Sequence, residues 1–200
     1  NYIVCLGTNS IEYFWDAGEA PPSSPLKRND SPVRGVAYIT GEAQIGDTVY
    51  FVGQDDRQNI GVYAINSFKV ESISNPVVDR TLQPFASTPN SKGNVTTDTA
   101  ASVVSVDGHT FYVLPTTQTT WAYEVKDKIW YEWKGSDGNG LAIQAAWPML
   151  DGAAYVAVAN RDYISIMSPK VYQDFGSNFT CQYTTENYTA DTFNWKIIHR

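Results

Sequence analysis

With 21 acidic against 14 basic residues among 200, the chain carries a formal net charge of −7 and has no basic run. This argues against tight binding of DNA through its phosphates, though not against DNA passing by. No apolar run approaches the roughly 20 residues of a membrane-spanning helix, so no membrane is expected for this segment. The 27 aromatic residues, 10 prolines and 14 glycines fall in alternating strand-like runs between turn residues, and no window repeats apolar residues at helical spacing over three turns; the class is all-β.

In chain order a two-strand phrase recurs. YIVCLG, TNS and IEYFW form the first; TVYFVG, QDDRQN and IGVYAI the second; HTFYVLP, TTQT and TWAYEV the third; AAYVAVA, NRD and YISIM the fourth. Three of the four follow a tight turn, Gly46-Asp47, Asp107-Gly108 or Asp151-Gly152, of the type that supplies the positive φ of a hairpin. Tyr2, Tyr50, Phe111 and Tyr155 as equivalent starts give spacings of 48, 61 and 44 residues. Repeats of roughly 40 to 50 residues with about four short strands each are the signature of β-propeller blades. FKVESISN and DKIWYEWKG, each after a short polar turn, read as outer strands. Trp130 and Trp133 lie three apart in the second of these and so point to opposite faces. One is expected between blades and the other toward the rim.

Residues 16–34 and 83–99, rich in Pro, Ser and Asn, read as long loops that connect or contact partners. The whole span 1–200 is expected to be a single β-propeller-like domain, partial or complete. Its start at Asn1 and its end in KIIHR lead us to expect a piece excised from a longer chain.

Residues suited to chemistry are sparse. His109 and His199 stand 90 apart with no metal or triad spacing, and His109 is expected to cap the Asp107-Gly108 turn. Glu42, Asp55, Asp56 and Asp137 could in principle pair as hydrolytic carboxylates but sit in turn contexts, with Asp55-Asp56-Arg57 reading as a solvated hairpin tip. Ser136 to Gly140 begins like a calcium loop and fails at Leu141, leaving a Gly-rich turn and no metal or cofactor. Cys5 and Cys181 are either buried thiols or a disulfide between the first and last strands. The sequons at Asn94, Asn178 and Asn187 fall in a Ser/Thr/Asn-rich chain and carry no argument. Thr120-Trp121 lacks the residues that precede it in an Asp box, and Gly108-His109 is not followed by Trp-Asp as in a WD40 blade.

Gly108-His109, Phe111-Tyr112, Thr120-Trp121-Ala122-Tyr123 and Trp130-Tyr131-Glu132-Trp133 together resemble the pattern of the packaged-DNA stabilisation proteins of short-tailed bacteriophages, related to their tail-tube or nozzle proteins. Ser10 to Phe14, Val62-Tyr63 with Ser72 to Ser74, and Asp191-Thr192 with Trp195-Lys196 extend the likeness in order along the chain. Glu124 stands where that family usually has Asp. The resemblance implies a non-enzymatic virion protein, assembled in the host cytoplasm, whose propeller-like domain joins a six-fold ring between the portal and adaptor and the distal tail proteins. It would help to retain packaged DNA and to form the ejection channel, passing DNA without sequence-specific contact. Gly108, His109, Tyr112, Trp121, Tyr123, Trp130 and Trp133 are the structural or interface candidates. Two other classes remain open on the sequence: a carbohydrate- or host-receptor-binding propeller, suggested by aromatics suited to stacking on sugars, and a propeller hydrolase.

Overall fold

The computed structural model describes residues 2–7, 10–29, 33–34, 36–87, 100–116, 119–159, 162–174 and 176–178. They form 15 strands and one helix. A first sheet contains β1 (Tyr2–Leu6), β2 (Ser10–Asp16), β3 (Leu26–Arg28) and β4 (Val33–Arg34), with both β3 and β4 paired to β2. The second runs β5 (Val36–Ile45), β6 (Thr48–Asp55), β7 (Ile60–Asn66) and β8 (Lys69–Ser72) in chain order. The helix α1 (Pro76–Ser87) follows, then the third sheet of β9 (Ser102–Val106), β10 (His109–Pro115), β11 (Thr120–Glu124) and β12 (Ile129–Trp133). The fourth has three strands, β13 (Ile143–Pro148), β14 (Ala154–Val158) and β15 (Ile164–Met167). All pairings are antiparallel.

Alternation along the strands stacks these sheets face to face. In β6, Tyr50 and Val52 point into a core shared with the third sheet, while Phe51 between them joins a core shared with the first. In β10, Tyr112 and Leu114 face the second sheet and Val113 faces the fourth. Because both faces of a central sheet are covered, these strands read as apolar runs rather than as half-polar ones. Strands β5, β9 and β13, the first of their sheets, lie beside one another, so the meanders radiate as blades do. Closure of the stack into a ring is not seen among the described residues.

In the second, third and fourth sheets the repeated phrase follows a first strand rather than opening the unit, whereas in the first sheet it does open it as β1 and β2. Strands β5, β9 and β13 precede β6, β10 and β14 and connect to them through the three turns read from the sequence. Asp107 and Gly108 both have positive φ, 51° and 78°, as a two-residue hairpin of primed type requires. The stretch from Gly108 to Trp133 therefore supplies the second, third and fourth strands of a sheet whose first strand is SVVSV, with only moderate side chains to mark it.

The helix corrects two expectations, that helices would be absent and that residue 83 begins a loop. Asn75 caps it, its Oδ1 accepting the Val77 and Val78 N–H groups at 3.0 Å each, and Pro76 opens the first turn, where a missing donor costs nothing. Its apolar stripe is short because Val78 and Leu82, one turn apart, do the burying. The turn from β7 to β8 places Ser67 and Phe68 in the left-handed region, at φ 48° and 68°. The Phe68 ring meets Tyr2 and Tyr13 edge-on at 4.8 and 4.7 Å, tying the first sheet to the second.

Candidate functional site, an aromatic seam between two sheets

The sequence-derived candidates converge on the third sheet but divide between its faces. In the register of the sheet Tyr112 lies opposite Tyr123, and Tyr123 opposite Trp130, so the three side chains share one face with Trp121. Opposite them, Tyr50 of the second sheet stacks on Tyr112 at 5.4 Å between ring centroids and approaches Tyr123 at 6.0 Å. Trp130 sits 5.0 Å from Tyr123 and meets Tyr112 and Trp121 edge-on at 6.4 and 6.5 Å. Edge-on and tilted contacts suit the ring quadrupoles and stabilise such clusters beyond area burial alone.

Three polar tips in the seam reach across it. The Tyr112 hydroxyl donates to the Gly41 carbonyl at 2.6 Å, the Trp121 Nε1–H to Thr81 Oγ1 at 2.7 Å, and the Trp130 Nε1–H to the Ile73 carbonyl at 2.8 Å. Thus β5, α1 and the connection before α1 are each tied to the third sheet by one aromatic arm. Gly41 sits in an irregular stretch of β5 at φ +70°, where an added Cβ would lie 2.9 Å from Leu114 Cδ1 and 3.3 Å from the Tyr112 hydroxyl. Only glycine permits both that backbone and that approach. Burial pushes the Tyr112 phenol far above its ordinary pKa, so it remains a neutral donor.

Trp133 lies on the opposite face, 5.0 Å from Phe111, within the core shared with the fourth sheet. The two tryptophans do point to opposite faces. Both are half-buried between sheets, however, so neither serves as the expected rim residue. The sheet is covered on both sides, and either face is therefore an interior. His109 does not cap its turn. As the first residue of β10 it lies on the sheet face, and its Nδ1 is 3.1 Å from Oε1 of Glu124, which is itself buried. Burial works against ionisation of Glu124, but the His109 ring and the Asp127 N–H, at 2.6 Å from its other oxygen, outweigh it and hold the carboxyl below its ordinary value. Gly108 remains an exposed turn residue.

Three of the four carboxylates considered for hydrolysis serve local structure, and the fourth, Asp56, is exposed at the hairpin tip. Glu42 bonds to the Tyr38 hydroxyl, Asp55 accepts from the Arg57 and Asn59 N–H groups at 2.9 and 2.8 Å, and Asp137 accepts from the Asn139 N–H at 3.0 Å. The tip at Asp55 to Arg57 and the turn at Ser136 to Gly140 form as read. Among the described residues no group of three or more His, Cys, Asp or Glu side chains gathers in a way that could hold a metal ion. Cys5 is exposed and free on β1, contrary to the buried-thiol expectation, because it occupies the face of the first sheet turned away from the second. Cys181, His199, Asn94, Asn187 and the strand read at Asp191 to Lys196 lie outside the described residues.

Sequence reasoning missed the partners of the seam, Tyr50, Gly41, Ile73 and Thr81. Gly41 inside a strand pattern was the available signal, since an isolated strand glycine marks a bulge or a close approach. The bonds to Ile73 and Thr81 depend on a helix that the periodicity did not reveal.

Among curated proteins no match was found. A family model described as Bacteriophage P22 Gp10, beta-propeller, matches residues 1–153 and so includes the first three sheets and the seam. Since that match covers well over half of its residues, the chain belongs to this phage stabilisation family, a family of non-catalytic structural proteins.

Proposed function

We propose that the chain is part of a phage tail component that closes the head after packaging, stabilises the packaged DNA and lines part of the channel through which DNA leaves. Family membership over residues 1–153 is the observation that carries this reading. In it the span 1–200 is one β-propeller-like unit of a longer protein. Six copies form a ring beneath the portal and adaptor and above the distal tail proteins, assembled in the host cytoplasm and resident in the virion. A net charge of −7 suits a wall past which DNA slides, because like charge keeps the phosphates from adhering. The seam residues Tyr112, Trp121, Tyr123 and Trp130, with Trp133 on the other face, fix the relative placement of sheets, while Gly108 and His109 stand at the turn between β9 and β10.

The test is a phage whose gene for this protein is disrupted, complemented in trans. Heads that fill and then lose their DNA, rescued by the wild-type protein with six-fold density below the portal, are expected. Stable, infectious, DNA-filled particles without the protein would overturn the reading.

A second reading, recognition of a host glycan, has one observation in its favour. Trp15 is exposed at an open groove lined by Glu19, Lys27, Arg28 and Asn29, a ring face beside polar groups of the kind that sugars stack on. Lys27 and Glu19 are paired across 3.1 Å, and Arg28 lies 3.6 Å from Glu12. Glycan-array binding abolished by Trp15→Ala would favour this reading; a blank array would remove it.

A further inference from the structure

The register of the first sheet sets Trp15 in a row. Tyr2 of β1 and Lys27 of β3 lie directly opposite it on either side, so the three side chains leave the sheet on one face. Farther along that face Val4, Leu6, Ile11 and Tyr13 pack against the second sheet. The cover ends at Phe68, which meets Tyr2 edge-on at 4.8 Å and leaves Tyr2 54% exposed beside a Trp15 that is 43% exposed. Two aromatic side chains on adjacent strands thus stand open at a strand spacing of about 4.8 Å, close to the length of one pyranose residue in an extended chain. The C–H face of a pyranose is apolar and gives up its water readily against an aromatic ring.

The polar wall of the groove is held in place. The Ala17 N–H donates to the Pro25 carbonyl at 2.8 Å, closing the segment that carries Glu19, and Glu19 Oε2 meets Lys27 Nζ at 3.1 Å. An ammonium and a carboxylate fixed side by side offer the donors and acceptors that neighbouring sugar hydroxyls require. Both cations that line the groove are paired, Lys27 with Glu19 and Arg28 with Glu12 at 3.6 Å. Asp16, next to Trp15 in the chain, adds a further negative charge and accepts the Gly18 N–H at 2.8 Å. Lys27 and Arg28 therefore stand against Glu12, Asp16 and Glu19, and an anionic sugar meets net repulsion here.

From this spacing and charge balance we propose that the row is a platform for a neutral oligosaccharide at least two residues long, laid across β1, β2 and β3. Tyr2 and Trp15 each stack under one pyranose ring, and the Lys27–Glu19 pair bonds hydroxyls of the ring on Trp15. This rests on the glycan reading of the Trp15 groove and adds to it the class, length and direction of the sugar.

The test titrates the full 200-residue chain, read by ligand-observed NMR, with neutral hexose and N-acetylhexosamine oligomers from mono- to tetrasaccharide and with uronic-acid oligomers of the same lengths. Neutral disaccharides should bind about ten-fold more tightly than monosaccharides, and the acidic series more weakly than the neutral one. Trp15→Ala should abolish binding at every length. Tyr2→Ala should reduce a disaccharide to the affinity of a monosaccharide, and Tyr2→Phe, which keeps the ring, should restore it. Trp15→Leu replaces Trp15→Ala if the latter does not fold, since it keeps apolar bulk without the flat ring. Equal binding of mono- and disaccharides, or an acidic series bound as tightly as the neutral one, would overturn the proposal and leave the glycan reading standing. Binding that survives loss of the Trp15 ring would place the sugar elsewhere and overturn it likewise. No binding of any sugar would remove the glycan reading and the proposal together.

Discussion

The two faces of the third sheet solve the same packing problem in opposite ways. Toward the second sheet, long aromatic side chains span the gap and carry a polar tip to the far side, as Tyr112, Trp121 and Trp130 do. Toward the fourth, the buried set is Val104, Val113 and Ala122 against Ile143, Ala154 and Val156, and short groups make the cross-links. Ser102 Oγ donates to the Ile143 carbonyl at 3.1 Å, Thr120 Oγ1 to the Leu141 carbonyl at 2.7 Å, and the Asp107 N–H to the Gly152 carbonyl at 2.7 Å. The fully buried small side chains leave little room for added volume, even with Phe111 and Trp133 partly buried beside them, and the large ones with polar ends leave a cavity and a lost bond when truncated. One face should therefore tolerate no loss of volume and the other no gain.

Truncation in the seam should have the largest effect. Tyr112→Ala removes a fully buried ring, its stacking on Tyr50 and its bond to Gly41. Large-to-small changes of this kind cost about 4 kcal/mol, read from urea unfolding. Overpacking on the opposite face comes next. Ala122→Leu, at a fully buried alanine, is expected to cost about 2 kcal/mol by the same measurement. Gly41→Ala should cost about as much as Ala122→Leu, because its new methyl meets Leu114 and its φ of +70° disfavours any side chain. Tyr112→Phe isolates the hydroxyl and should cost about 1 kcal/mol, leaving the Gly41 carbonyl unpaired.

The pH dependence gives the smallest signal. In the folded chain Glu124 is held below the ordinary carboxylate value despite its burial, so in acid the unfolded state binds more protons at this site. Its contribution is complete above the unfolded pKa of about 4.3 and is lost as the pH falls through the lower folded value. Glu124→Gln should flatten that part of an acid-denaturation curve.

Most of the strands were legible because period-two alternation and Asp-Gly turns act locally. The residues from Thr48 to Ile65 and from His109 to Trp133 form strands as the pattern indicates. Strand β9 was overlooked because SVVSV carries no aromatic, and α1 because its amphipathic stripe amounts to Val78 and Leu82 within a Pro- and Asn-led segment. The candidate site was legible as a set of residues and not as an arrangement. Strand alternation put Trp130 and Trp133 on opposite faces, but whether those faces look to solvent or to a neighbouring sheet depends on packing between residues of different sheets, far apart in the sequence. Tyr112 with Tyr50, 62 apart, is the plainest case.

Equilibrium unfolding of Trp130→Ala beside Trp15→Ala in the same chain tests most directly whether the aromatics of the third sheet act as structural ties. Trp130 packs in the seam and donates to Ile73, whereas Trp15 lies exposed at an open groove. The expected result is a loss of about 3 kcal/mol for Trp130→Ala and under about 1 kcal/mol for Trp15→Ala. Equal and small losses would contradict the account, for then the aromatics of the third sheet would be free to serve a ligand and the sheets would be held by something else.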